Sequence, residues 1–369
     1  MRPVPFHLVN WFSAAEGRFD LSLSHSDCEP LSLAALFDEH ELPNLVGLRL
    51  GYGPFAGHAE LRNVVIRQYE TLQPDDVFIF AGASEAIYTF MRATLDPGDE
   101  VIVQMPLFNT LHAIARSLGC RVSEWRPADE MTCSYDVTAL SALCCERTKL
   151  IVINFPHNPT GQMISEKDLR AIIETARRID AVVFSDEQFR LLELPPTPTL
   201  PAACDLYEKA VSVSGISKTL GLGGLRIGWM ASRCREVIER AQAYRFYTTE
   251  MTNTPCQYLA SRALERGDEI LRRNRQRIAA NALRLQSFAQ QHRDLLVVHP
   301  PKAGTMAVVE HKSRLTSTEL CQRLLDSKGL FLVPGGVMDM SDRLLRFGLG
   351  RDDFSQGLER LADFLHTEL

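Results

Sequence analysis

Through the middle of the chain, short apolar runs rich in β-branched residues alternate with stretches whose apolar positions recur at helical spacing. Val77–Phe80, Val101–Gln104, Leu150–Asn154, Ala181–Ser185 and Ala210–Ser214 read as buried strands. Ser84–Leu95 and Leu107–Leu118 follow the first two as helices, and Glu166–Arg178 lies between the next pair, with Ser165 as its N-cap and Asp168 answering it. Such alternation predicts a mostly parallel sheet covered on both faces, binding its ligand where strands end and loops begin. Arg235–Ala243 and Pro255–Asn274 predict connecting helices. After them, helices over Asn281–Gln291, Ser317–Ser327 and Asp353–His366, and strands over Leu295–His299, Met306–Glu310 and Leu344–Leu349, predict a smaller α+β unit.

The 369 residues exceed what one core usually serves, which fits two units. Hydrophobic residues at 45% and charged residues at 23% are the ordinary globular mix. A net charge of −6 without a long basic run argues against nucleic acid or an anionic membrane as partner. The nine cysteines show no CxxC spacing, and Cys144 abuts Cys145, so reduced thiols in a cytoplasmic protein are expected. Met1–Asn10 lacks the pattern of a signal peptide, and no stretch approaches the roughly 18 apolar residues of a membrane span, so a soluble chain is expected.

The candidate chemistry starts in Ser217-Lys218-Thr219-Leu220-Gly221-Leu222-Gly223-Gly224-Leu225-Arg226-Ile227-Gly228-Trp229. A lysine there follows a buried strand and precedes a glycine-rich turn. Lysine forms imines with aldehydes, best where its site lowers its pKa, and Arg226 is suited to holding a phosphate. By itself, a Ser-Lys pair is more often a plain loop. Its neighbours in the sequence are Tyr52-Gly53-Pro54, Gly57–Arg62, Ala81-Gly82-Ala83-Ser84-Glu85-Ala86, Asn154-Phe155-Pro156-His157-Asn158-Pro159-Thr160-Gly161, Ser185-Asp186-Glu187-Gln188-Phe189-Arg190 and Leu345–Arg351. In this order and spacing they resemble the class I/II aminotransferases, fold-type I pyridoxal-phosphate enzymes, over nearly the whole chain.

The resemblance implies an α/β fold like that of aspartate aminotransferase, with a mostly parallel sheet of the seven-stranded type. It implies an N-terminal arm over residues 1–45, a large cofactor domain over 46–245, and a connecting helix with a small domain over 246–369. Pyridoxal 5′-phosphate is then expected as a Schiff base on Lys218. Gly82, Ala83 and Ser84 open a helix after a strand, where free N–H groups and the positive helix end bind phosphate, although an ordinary strand–helix turn looks the same. Ser217 and Arg226 complete that seat. Asp186 ends a buried strand, where a carboxylate needs a cation such as a protonated pyridine nitrogen; a helix cap is the plainer alternative. Asn158 is expected at the phenolic oxygen, or else serves as a turn residue before proline. Arg346, with Arg343 and Arg351 as rivals, matches the clamp on a substrate α-carboxylate. Tyr52 matches a tyrosine that reaches the neighbouring subunit's phosphate, implying a homodimer with shared sites; a core tyrosine is the alternative.

Three positions depart from the family pattern. Phe189 stands where a tyrosine usually donates to the phenolic oxygen, which implies a raised imine pKa. Phe108 stands where a tyrosine or tryptophan usually stacks, and still can. Gly215 replaces a phosphate-binding serine. Ser24–Leu33 also resembles a subgroup with short N-termini, which includes cyclases making capreomycidine or enduracididine and arginine oxidases. There His25 is a candidate proton carrier near the substrate entrance, or simply a loop histidine. Asp27 is a candidate for meeting a guanidinium, or a helix cap. The readings are therefore an aminotransferase that shifts a proton from Cα to form a keto acid, with Lys218 as base; an enzyme that cyclises, dehydrates or oxidises arginine or hydroxyarginine; or a non-catalytic cofactor-binding relative.

Overall fold

The computed structural model describes residues 4–368. It opens with helix His7–Ala15 (α1). Seven strands then build the main sheet: Val77–Phe80 (β1), Glu100–Gln104 (β2), Arg121–Trp125 (β3), Thr148–Asn154 (β4), Val182–Asp186 (β5), Ala210–Gly215 (β6) and Gly228–Ala231 (β7). Their order across the sheet is β1-β7-β6-β5-β4-β2-β3, with β7 antiparallel to both neighbours and every other pairing parallel. β1, β6 and β7 are buried throughout, and β2, β4 and β5 at all but one position. Burial on both faces is why these strands read as unbroken apolar runs.

Successive side chains point to opposite faces. Leu150 and Val152 of β4 join Phe184, Val213 and Met230 on the face covered by helices Ala83–Thr94 (α2), Thr110–Ser117 (α3) and, past the sheet, Arg235–Arg245 (α5). Ile151 and Ile153 join Val183 and Ala210 on the other, under Leu169, Ile172 and Ala176 of helix Glu166–Arg178 (α4). α4 begins as expected: the Ser165 hydroxyl accepts from Asp168 N at 3.1 Å.

After helix Thr254–Glu265 (α6) comes Gly267–Gln291 (α7), 25 residues long. The sequence reading of Pro255–Asn274 as one helix and Asn281–Gln291 as another is therefore corrected. The chain breaks at Arg266 and then stays helical, because Ile270, Leu271, Asn274, Ile278, Asn281 and Leu285 keep one face of α7 buried. A second, antiparallel sheet of Leu296–Val298 (β8), Met306–His311 (β9), Val333–Pro334 (β10) and Leu344–Gly348 (β11) takes the order β10-β11-β9-β8. Helices Ser317–Lys328 (α8) and Phe354–Glu368 (α9) complete this unit.

One segment joins the two units at the site. Leu21–Ser22 pairs in parallel with Leu330–Phe331, and the chain then runs beside β11, where Gly348 N donates to Leu23 O at 2.6 Å. It reaches the end of β6, where Cys28 N donates to Lys218 O at 3.1 Å. Among the described residues, no helix is long and apolar enough to cross a membrane, and all nine cysteines are free.

Candidate active site

A cavity of about 290 Å³ opens where β1, β4, β5 and β6 end. Its wall takes Asp186 from the last position of β5, Asn158 from the loop after β4, Ser217 and Lys218 from the turn after β6, and Ala83 and Ser84 from the start of α2. Asn154, at the end of β4, ties two of these loops together. Its Nδ2 donates to Asp186 O at 2.8 Å, and its Oδ1 accepts from Asn158 N at 2.9 Å.

Lys218 Nζ donates to Ser26 Oγ at 2.8 Å. Burial pushes the ammonium pKa down, with Arg346 and Arg226 acting the same way and Asp27 and Asp186 against. A lysine easily deprotonated is what amine chemistry requires. Asp186 is buried and receives Gln188 N at 3.1 Å. Burial lifts its carboxyl to about 7, and Lys218 opposes that only as the smallest of the causes. No cation among the described residues outweighs that burial, so a closer one would stabilise the carboxylate. Asn158 is buried too, with Oδ1 unpartnered.

A phosphate-sized cradle lies at the N-terminus of α2. Gly82 there has φ +89°, and a Cβ on it would meet a terminal guanidinium nitrogen of Arg226 at 2.5 Å, so glycine serves both the backbone and the close approach. Arg226, itself left-handed at φ 53°, lays its guanidinium over the first turn of α2. Free helix N–H groups, the helix dipole and a guanidinium converge at that point.

Arg346, on β11, forms the opposite wall and is buried. One terminal nitrogen donates to Ser24 O at 3.0 Å while Nε has no partner. Burial alone pulls its pKa to about 10; no acid among the described residues offsets it. Both rivals are engaged elsewhere: Arg343 on the carbonyls of Ser313 and Leu315, and Arg351 on Asp27 at 2.9 Å.

Phe108 and Phe189 line the cavity, and Phe6 packs edge-on against Phe108 at 5.3 Å. Phe108 lies in a loop because α3 starts at Thr110; the expected helix from Leu107 is corrected on that point. Besides Gly82, which lies behind the cradle against Arg226, three expected site residues are not part of this wall. The carboxylate of Asp27 is held by Arg351, so the guanidinium it meets belongs to the chain itself. His25 sits beside Phe12 and Phe19, at 6.4 and 6.5 Å between ring centroids, where burial lowers its pKa. Tyr52 is 93% exposed, which excludes a core role.

The wall also contains residues the sequence reading passed over: Ser26, Ile87, Gln188, and Leu8, Val9 and Phe12 of α1. Gln188 lay within a recognised segment, and Ile87 directly follows another. Ser26 lay in the Ser24–Leu33 segment, but nothing local marked its role, since its partner is 192 residues away.

The family described as "Aminotransferase class I and II" matches residues 39–363. Capreomycidine synthase from Streptomyces vinaceus is 28% identical over 316 residues, covering 85% of this chain and 81% of that protein. The crystal structure of a PLP-dependent aminotransferase from Streptococcus suis superposes with a TM-score of 0.93 at 27% identity, over 99% of this chain and 98% of that one. The PLP-dependent cyclase OrfR superposes with a TM-score of 0.91 at 26% identity, over 100% and 99%.

Proposed function

The chain belongs to the class I and II aminotransferases and takes pyridoxal 5′-phosphate as its cofactor, and on that premise we propose that it is an aminotransferase working on an L-amino acid, with Lys218 as covalent anchor and base. The residues present fit the cofactor. The cradle of Ala83, Ser84 and Arg226 suits its phosphate, with Ser217 beside it. Asp186 suits a ring nitrogen that stays protonated, and Asn158, on the same wall, carries an amide N–H that can donate to a phenolic oxygen. When bound, the cofactor supplies an aldehyde that captures amines and a cationic ring that draws electrons from Cα.

One observation carries the reading: a buried arginine with no acidic partner among the described residues shares a small cavity with a lysine of lowered pKa and a buried carboxyl of raised pKa. An α-amino acid supplies the missing carboxylate, which Arg346 binds with a planar fork. Its amine then lies on the Lys218 side. With the cofactor bound, Lys218 Nζ would take the proton from the substrate Cα as base and give it back as acid, and one water would supply the keto oxygen while the amino group stays with the cofactor. Leu8, Val9 and Phe12 give one side of the cavity an apolar surface against which a substrate side chain can pack.

The likeness to capreomycidine synthase and to a PLP-dependent cyclase favours a second reading, in which an arginine-like substrate is cyclised, dehydrated or oxidised. Phe189, which has no hydroxyl to donate, fits that reading as well. Against it, Asp186 is the only carboxylate among the described lining residues, and the ring nitrogen claims it, so this wall offers no acid to a guanidinium. The assay is incubation of the cofactor-loaded protein with L-arginine, hydroxyarginine and a panel of amino acids. Keto acid formed in step with pyridoxamine phosphate is the expected result. A ring-closed or dehydrated product without amino transfer would install the second reading. Borohydride reduction is expected to fix the cofactor on Lys218. We further propose a homodimer in which Tyr52 reaches the partner's phosphate seat.

A further inference from the structure

Gln188 carries a donor that the fold leaves unused. It follows Asp186 by two residues, is 7% exposed, and lines the cavity. Its Nε2 is buried without a hydrogen-bond partner among the described residues. A buried N–H of this kind is unfavourable until an acceptor arrives.

The surroundings show which way the amide faces. Nε2 lies 3.4 Å from where a Cβ on Gly215 would stand, so it rests against bare backbone at the end of β6. Gly215 pairs with Gly228 of β7, and Gly228 with Phe80 of β1. A Cβ on Gly228 would strike Ala83 N at 2.5 Å. Between the Gln188 amide and the cradle formed by Ala83 and Arg226, the floor is therefore glycine backbone with no side chain rising from it. Asn158, by contrast, stands on the β4 side of Asp186, away from Gly215.

We infer that Gln188 is a cofactor-binding residue whose side-chain amide donates to the phosphate, across the floor formed by Gly215 and Gly228. An anionic oxygen is the strongest acceptor the cavity is built to receive, and a charge-assisted bond is worth more than a neutral one. The inference rests on the cofactor reading above.

The test is the affinity of cofactor-free protein for pyridoxal 5′-phosphate and for pyridoxal, which lacks the phosphate, followed by visible absorbance. Gln188→Met keeps the volume and removes the donor. It is expected to weaken the phosphate ester roughly ten- to a hundredfold while leaving pyridoxal unchanged. Gln188→Glu places like charge beside the phosphate and is expected to cost more. Gln188→Asn withdraws the amide by one methylene and gives the same split between the ligands should the methionine variant not fold, as judged by circular dichroism. Equal weakening of both ligands, or weakening of neither, overturns the inference. If the wild type binds neither ligand, the cofactor reading itself falls; if it binds the phosphate ester on Lys218 and the variants match it, only the role of Gln188 falls.

Discussion

An arginine held in the interior without an acid beside it is a burden to the ligand-free chain and an asset once a carboxylate arrives. Arg346 is in that position. Replacing a buried charge by an apolar side chain of similar volume is often neutral or stabilising, whereas removing a bidentate clamp from a substrate costs several kcal/mol. Arg346→Met is accordingly expected to leave the melting temperature of the cofactor-free protein unchanged or higher. It is expected to cut kcat/KM by about a hundredfold or more, with the bound cofactor's absorbance intact. A marked fall in thermal stability would assign Arg346 a structural role instead. Asp186 makes a comparable argument through pH. Burial raises its carboxyl from 3.8 to about 7 in the ligand-free fold. Between those values the folded chain keeps a proton that the unfolded chain has lost. The resulting penalty on stability begins near pH 4, grows as pH rises and levels off above about 7, at no more than about 4 kcal/mol. Asp186→Asn removes it. Melts of the two cofactor-free proteins between pH 5 and 8 should show the variant's advantage widening with pH; parallel curves would count against the buried carboxyl as described.

α1 brings the substrate's surroundings down to a single short helix. It is anchored by Leu8 and Ala15 in the core of the smaller unit and by Trp11 Nε1 donating to Leu332 O at 3.0 Å. Val9 is 48% exposed yet lines the cavity, so it can be changed without disturbing that anchor. Val9→Asp is expected to lower kcat/KM for leucine or methionine about tenfold, because a carboxylate there must be desolvated, and to improve relative activity on arginine. An unchanged substrate profile would remove α1 from the specificity argument. The helix also marks the limit of what the sequence discloses. The strands of the main sheet were legible because burial on both faces leaves unbroken apolar runs, and α4 because its cap and periodicity agree. β3 was not, since Arg121–Trp125 is an edge strand with polar alternation. β7 was hidden inside the glycine-rich motif that drew notice for its chemistry. Lys218, Asp186, Asn158, Arg226 and Arg346 could be named from local motifs and all line one cavity. Ser26 and α1 reach it through contacts distant in sequence, among them the pairing of Leu21–Ser22 with Leu330–Phe331 and the Trp11 bond to Leu332, which have no local signature.

At the scale of the molecule, the four most exposed large apolar side chains among the described residues fall in two stretches. Val46, Leu50 and Tyr52 are 85%, 77% and 93% exposed, and Tyr247 is 90% exposed. Phe55 and Phe246 bring the two stretches together, edge to face at 5.1 Å. Soluble monomers rarely leave such surface open, and a second copy of this chain is the partner expected to cover it. Tyr52 makes the consequence testable, because it lies outside its own chain's cavity and is free to complete another's. Sedimentation of the wild type is expected to give a dimer. Tyr247→Asp, whose side chain touches neither core nor cavity, is expected to shift the protein toward monomer and to weaken cofactor affinity and activity together. Tyr52→Phe is expected to keep the dimer but lower affinity for pyridoxal 5′-phosphate by roughly tenfold, the value of one hydrogen bond to a charged group. A wild type that sediments as a monomer at full activity would mean that one chain's cavity is complete, and that Tyr52 serves some other end.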